Sequence, residues 1–322
     1  MNFISPSELN QLINSSDEIA VIDVREQGEF GKEHILLCAN IPLSHLEIKV
    51  PVLIPRKGTQ IVICDFEGEL SSRAFDVLIS YGYTNISILG GGVKAWKGEK
   101  FEVFSGINVP SKAFGEFVEH TYETPSISAK ELKDMMDKKQ DFIVLDSRPM
   151  DEYRVMNIPT GIDMPGAELV YRIEDAPITK DTTIVVNCAG RTRSIIGAQT
   201  LINAEVKNKV VALRNGTQGW HLAGYKLEHG ADRSVPEVTN RGYSVALKRA
   251  KSAAKKFGVK FINSDTLDRW REQQGERTLA VLDVRTREEF EIAHIAESRH
   301  APGGQLVQAT DMYVATQNAR VV

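Results

Sequence analysis

A chain of 322 residues, 42% hydrophobic and 25% charged, is long enough for two or three ordinary globular domains, each with its own core. Its net charge of −4 supplies no global attraction for nucleic acid or an anionic membrane, and no apolar run reaches the length of a bilayer span. The start, Met1 to Pro6, lacks the basic and apolar regions of a secretory signal, and three well-separated cysteines suggest neither a disulfide framework nor a zinc site. Free thiols of this kind fit a reducing cytoplasm.

In chain order, Ser5-Pro6-Ser7-Glu8 reads as a capping box opening a helix, with Pro at its first position. Ile19 to Ile22 is a buried-strand run that ends in Asp23-Val24-Arg25. A second run, Gln60 to Cys64, leads into the loop Asp65 to Leu70, a helix from Ser71 to Tyr81, and the glycine-rich turn Leu89 to Trp96. Residues 106–125 show little periodicity, contain Pro110 and Pro125, and are expected to form a linker. The series then restarts with Ser128-Ala129-Lys130-Glu131, Ile143 to Leu145, Asp146-Ser147-Arg148, Thr183 to Asn187, and a helix from Ser194 to Asn203. It ends in a second turn, Leu213 to Trp220. Residues 231–260 form a second connection whose basic run, Leu247 to Lys256, is expected to be a solvated helix. A third start follows at Ile262-Asn263, then Leu279 to Leu282 and Asp283-Val284-Arg285.

Strand runs that are apolar throughout, interleaved with helices, predict parallel sheets covered on both faces, hence three doubly wound α/β units. The expected boundaries are 1–105, 126–230 and a partial unit at 261–322. The repeats are in register: Ile4 to Asp23 and Ile127 to Asp146 each span 19 residues, and Ile262 to Asp283 spans 21. A further 42 residues lead to Asp65 in the first repeat, to Cys188 in the second, and to position 325 in the third. Val321-Val322 align with Ile184-Val185, which predicts that the sequence is a piece of a longer protein.

Cys188 follows a parallel strand and faces the start of the next helix, the edge at which open α/β sheets place ligands. Amides from Ala189 to Ser194 can point at a sulfur or an anion there, which favours thiolate over thiol. Arg191 and Arg193 add planar donors suited to oxyanions, and Gly190 permits a tight turn. In repeat one, Asp65, Glu67 and Glu69 give an acidic loop expected to repel anions. Cys64 aligns with Asn187 and should point to the opposite face, and Cys38 reads as core. His34 and His294 correspond to Asn157, so a catalytic histidine is not expected. Trp96 and Trp220 are expected to cap their cores.

Cys188-Ala189-Gly190-Arg191-Thr192-Arg193-Ser194, with Asp146-Ser147-Arg148 before it and Arg214 to Trp220 after it, resembles a rhodanese sulfurtransferase domain. The tandem order is similar to multi-rhodanese proteins. The resemblance implies a five-stranded parallel sheet between helices in each domain. It also implies a Cys188 nucleophile that takes sulfane sulfur from thiosulfate or a similar donor and hands it to cyanide, a thiol or an acceptor protein. Ala189, Gly190, Arg191, Thr192, Arg193 and Ser194 would bind the substrate, with Asp146 and Arg148 in support, and no metal or organic cofactor is required. The recurrence of Asp-x-Arg in repeat one, which lacks the cysteine, argues for a structural role. Cysteine phosphatases use a related loop but place their arginine six residues after the cysteine, where this chain has Ser194. The alternative from another class is a non-enzymatic sulfur carrier or interaction scaffold, in which the acidic loop of repeat one docks a partner.

Overall fold

The computed structural model describes residues 1–322, which fall into two compact units, Met1–Pro110 with Ile262–Val322, and Ser111–Phe261. No helix is long and apolar enough to cross a membrane. In the first unit, strands β1 (Phe3–Ile4), β2 (Ile19–Asp23), β3 (Ala39–Asn40), β4 (Gln60–Cys64) and β5 (Ile86–Leu89) form a parallel sheet in the order β1-β5-β4-β2-β3. The second unit repeats it with β6 (Ser126–Ile127), β7 (Phe142–Asp146), β8 (Ile162–Asp163), β9 (Thr183–Asn187) and β10 (Val210–Leu213), in the order β6-β10-β9-β7-β8.

The central strands are apolar along their whole length because each face packs on a separate core. Ala20, Ile22, Ile61 and Ile63 belong to one cluster, while Ile19, Val21, Val62 and Cys64 belong to the other. Leu145, Ile184 and Val186 are likewise separated from Val144 and Val185. Strand alternation therefore assigns side chains to faces, while helices on both sides remove the usual polar face. Both capping boxes form, Ser5 with Glu8 and Ser128 with Glu131, each worth about 1 kcal/mol to its helix.

The C-terminal region repeats the first copy on a smaller scale. Strand β11 (Leu279–Ala280) pairs in parallel with β14 (Arg320–Val321), and β12 (Leu282–Asp283) pairs with β13 (Arg299–His300). The register is inherited: Leu279 lies opposite Arg320 as Ile19 lies opposite Gln60, and Asp283 opposite His300 as Asp23 opposite Asn40. Within the first unit, the Thr278 amide donates to Glu18 at 2.9 Å and the Gln317 amide to the Ile19 carbonyl at 2.8 Å.

Both connecting segments hold more structure than their sequences promised. The stretch at 106–125 contains a helix, Val109–Tyr122. Pro110 lies in its first turn, where a missing N–H costs nothing. Phe114 and Phe117 are exposed while Val118 is buried, which blurs the apolar stripe. The basic helix, Asn240–Lys256, is not simply solvated. It packs on the helix Leu169–Arg172 and the turn after it, through the small residues Gly242 and Ala246. A Cβ at Gly242 would lie 1.9 Å from an Asp175 oxygen, and Arg249 pairs with Glu174 at 3.1 Å. Among so many lysines, two small residues one turn apart were an easily missed sign of docking.

Candidate active site

Strand β9 is the middle strand of its sheet and delivers Cys188 at its carboxyl edge, directly before the loop that enters the helix Thr192–Asn203. Arg191 is the residue before that helix, so the loop amides and the positive end of the helix dipole share one place. Cys188 is 2% exposed, and its thiol lies 3.5 Å from the Ser194 hydroxyl. Ser194 is fully buried and donates to the carbonyls of Arg191 and Leu213, at 2.8 and 3.3 Å, which ties the loop to the end of β10.

The glycine-rich turn closes on the loop from the other side. Thr217 and Gln218 amides donate to the Cys188 and Ala189 carbonyls at 2.9 and 3.0 Å. Gly216 has φ +52°, and a Cβ there would sit 2.1 Å from the Cys188 carbonyl oxygen. Only glycine permits that approach. Repeat one makes the same joint: Val93 and Lys94 amides donate to the Asp65 and Phe66 carbonyls, and Gly92 occupies the matching position at φ +60°. The turn thus works as a structural clasp on the loop, beyond the family signature it carries.

The two arginines do not stand free. Arg193 gives two parallel hydrogen bonds of 2.8 Å to Glu152, on the helix Met150–Val155. That pairing holds the Glu152 carboxyl below its ordinary range. Arg191 donates to Glu116 at 3.0 Å and also to Glu119, both on the helix Val109–Tyr122. That helix touches the loop, since a Cβ at Gly115 would meet the Thr192 methyl at 2.9 Å. Sequence reasoning missed all three glutamates, because nothing in the spacing joins Glu116, Glu119 and Glu152 to a loop some 40 to 75 residues away.

Asp146 and Arg148 are buried and turned on each other. Arg148 donates from its amide, Nε and Nη2 to Asp146, and from Nη2 to the Met156 carbonyl. Asp23–Arg25 and Asp283–Arg285 do the same, with Glu33 and Ala293 carbonyls as the further acceptors. A geometry shared by all three copies is a brace for the following loop. In the same way His34, Asn157 and His294 each bond the carbonyl four residues earlier, of Phe30, Tyr153 and Phe290. This explains why asparagine can replace histidine there. Trp96 and Trp220 are buried and donate to the Glu102 and Lys226 carbonyls, both at 2.9 Å.

In repeat one, Asp65 does more than repel. One of its oxygens accepts from the Gly68 amide, and the other accepts from Leu70 and Ser71 at 2.5 and 3.0 Å. The carboxylate thus takes up three amides of its own loop, at the position that Cys188 holds in repeat two. Over it lies a cleft of about 480 Å³, whose lining includes Arg25, Glu29, Phe66, Glu67 and Leu70. Glu67 is paired with Lys94 at 2.7 Å. Cys64 and Cys38 lie in the core on the other face, their sulfurs 3.4 Å apart, and burial pushes the Cys38 thiol well above its usual range. With Asp23 these thiols form a cluster of possible metal ligands within 4.8 Å. Both Asp23 oxygens, however, are taken by Arg25, whose charge opposes a cation.

The model of the rhodanese-like domain matches residues 5–99 and 128–223, together more than half of the chain. A solved thiosulfate sulfurtransferase from Pseudomonas aeruginosa is 42% identical and superposes over all of this chain with a TM-score of 0.96. Thiosulfate sulfurtransferase PspE of Escherichia coli is 30% identical over 70 residues, which is 22% of this chain and 67% of that protein. An HTH-type transcriptional regulator of Mycobacterium tuberculosis is 34% identical over 88 residues, 27% of this chain. This chain spans 61% of the Pseudomonas protein and the match covers 38% of the regulator. A doubled fold in one register, with the loop and clasp repeated and the family model matched in both copies, makes this chain a tandem member of the rhodanese-like family.

Proposed function

We propose that the chain is a rhodanese-type sulfurtransferase whose working site is Cys188, carried by the unit at 126–230. The thiolate attacks the outer sulfur of thiosulfate or a similar sulfane donor. An S–S bond forms to Cys188, the donor's own S–S bond breaks, and sulfite leaves with the bonding pair. The persulfide anion is held by the loop amides and the helix end, and a thiophilic acceptor such as cyanide or a thiol then takes the terminal sulfur and returns the thiolate. The balance needs neither metal nor organic cofactor. Three thiols, none in a disulfide, suit a cytoplasmic setting.

The observation that carries this reading is the position of Cys188: buried at the end of a central parallel strand, just before a helix start, where repeat one holds a carboxylate that takes three loop amides. Repeat one, filled by Asp65, is read as non-catalytic. Treating the protein with thiosulfate, then measuring thiocyanate release and the intact mass, tests the assignment. The expected result is one added sulfur, mapped to Cys188 and lost in Cys188→Ser together with turnover. Persulfide on Cys64, or turnover surviving in Cys188→Ser, would overturn it.

A further inference from the structure

We infer that Glu116 and Glu119 set the charge selectivity of the Cys188 site, disfavouring dianionic sulfur donors relative to donors of one negative charge or none. This rests on the sulfur-transfer reading above and adds the donor class. Arg191 and Arg193 are the basic side chains of the loop, and each is already bound to carboxylate: Arg191 by Glu116 and Glu119, Arg193 by Glu152. Two positive and three negative charges leave the neighbourhood one unit negative before any donor arrives.

The arrangement is built into the fold. The carboxylate helix is anchored by Val118, buried in the same cluster as Ile195 and Ala198, and by Thr124, which donates to Gln199 at 2.8 Å. Gly115 lets its backbone lie against Thr192. Glu116 and Glu119 stand one turn apart on it, so both reach one guanidinium. Arg191 is 43% exposed on its side chain, open enough for a donor to compete for it. A dianion that recruits Arg191 must displace two carboxylates and then remain beside them. Coulomb energy scales with the charge of the newcomer, so a monoanion pays half that penalty and an uncharged donor none.

The test compares two donors that share one reacting group, thiosulfate with two negative charges and an arylthiosulfonate with one, at fixed cyanide, using the full chain. In Glu116→Gln/Glu119→Gln the KM for thiosulfate should fall about tenfold and that for the arylthiosulfonate about threefold, with kcat moving less than either. The single Glu116→Gln, at a half-exposed position, should shift both the same way by roughly the square root of those factors. A Glu116→Asp/Glu119→Asp variant keeps the charge and should keep the preference between donors close to that of the native protein. Equal shifts for the two donors, or none, would overturn the inference while leaving sulfur transfer intact. If the native protein forms no Cys188 persulfide with either donor, the sulfur-transfer reading fails and this inference falls with it.

Discussion

The loops after β4 and β9 occupy equivalent places in two equivalent sheets, are each clasped by a matching glycine turn, and differ in what fills the centre. In repeat two the centre holds a thiol; in repeat one it holds a carboxylate that takes three amide hydrogen bonds. Asp65 takes up these amides with its own oxygens, so the loop of repeat one is satisfied by the chain itself. On the proposed sulfur transfer, a thiol at that place would leave the loop amides to the charge that appears during the reaction. The fold supplies an electrostatic cradle, and the residue in it decides whether that cradle serves stability or chemistry.

The largest effect is expected from moving the thiol. In a Cys188→Ser background, Asp65→Cys should remain at background turnover. The missing Arg193 counterpart (Leu70) and the Glu67 and Glu69 charges oppose thiolate formation and anion approach. Asp65→Cys with Glu67→Gly and Leu70→Arg should bring measurable thiocyanate release. The new arginine would meet Glu29, which now pairs with Lys32 and stands where Glu152 stands in repeat two. Activity should stay below native, because the backbone differs: Gly68 has φ +107°, whereas Arg191, its counterpart, has φ −130°. Turnover by the single Asp65→Cys variant at the native rate would end the argument that charge separates the two loops.

A smaller effect separates the two arginines. Arg193 spends both terminal nitrogens on Glu152, so Arg193→Ala should damage the shape of the loop and cost about 1–3 kcal/mol of transition-state stabilisation with any donor. Arg191→Ala should cost more with thiosulfate than with an uncharged donor, since its guanidinium is the one a donor can reach. Steady-state kinetics with both donors decides the matter. A donor-dependent loss on removing Arg193 would show that it leaves Glu152 to bind the anion.

Much of this was legible in the sequence. The strands, the caps and the place of Cys188 at a strand end are local patterns repeated at fixed spacing, and repetition supplied the alignment that a single copy lacks. The pairing of Asp-x-Arg was readable as structural for the same reason, because it recurs where the cysteine does not. Contacts with no period stayed hidden: Glu116 and Glu119 reaching Arg191, Glu152 reaching Arg193, and Gly242 seated against Asp175. The filling of the repeat-one loop was half visible. Three acidic residues could be counted, but whether Asp65 points outward to repel or inward to bind depends on backbone direction, and composition does not carry that.

The smallest expected effect concerns one position at which the copies disagree. Asn40 in β3 donates to the carbonyls of Asp23 and Arg25, at 3.2 and 2.8 Å, and His300 in β13 has a ring nitrogen 3.1 Å from the Arg285 carbonyl. The matching residue in β8 is Asp163, buried, with one carboxyl oxygen lacking a hydrogen-bond partner. A carboxylate cannot donate, whereas a carboxylic acid can. Burial, then the nearby Asp146 and Glu168 charges, raise its pKa from 3.8 to about 7. The folded state therefore binds a proton that the unfolded chain releases above about pH 4. The stability tied to this proton is full below the unfolded pKa and is lost as pH rises through the folded one. Unfolding of the second unit should thus become easier between pH 4 and pH 7 and level off above it. Asp163→Asn, which installs the donor used in repeat one, should flatten that dependence and raise the denaturation midpoint at pH 8. Urea titrations at several pH values check this, and a variant with an undiminished slope would show that another group carries it.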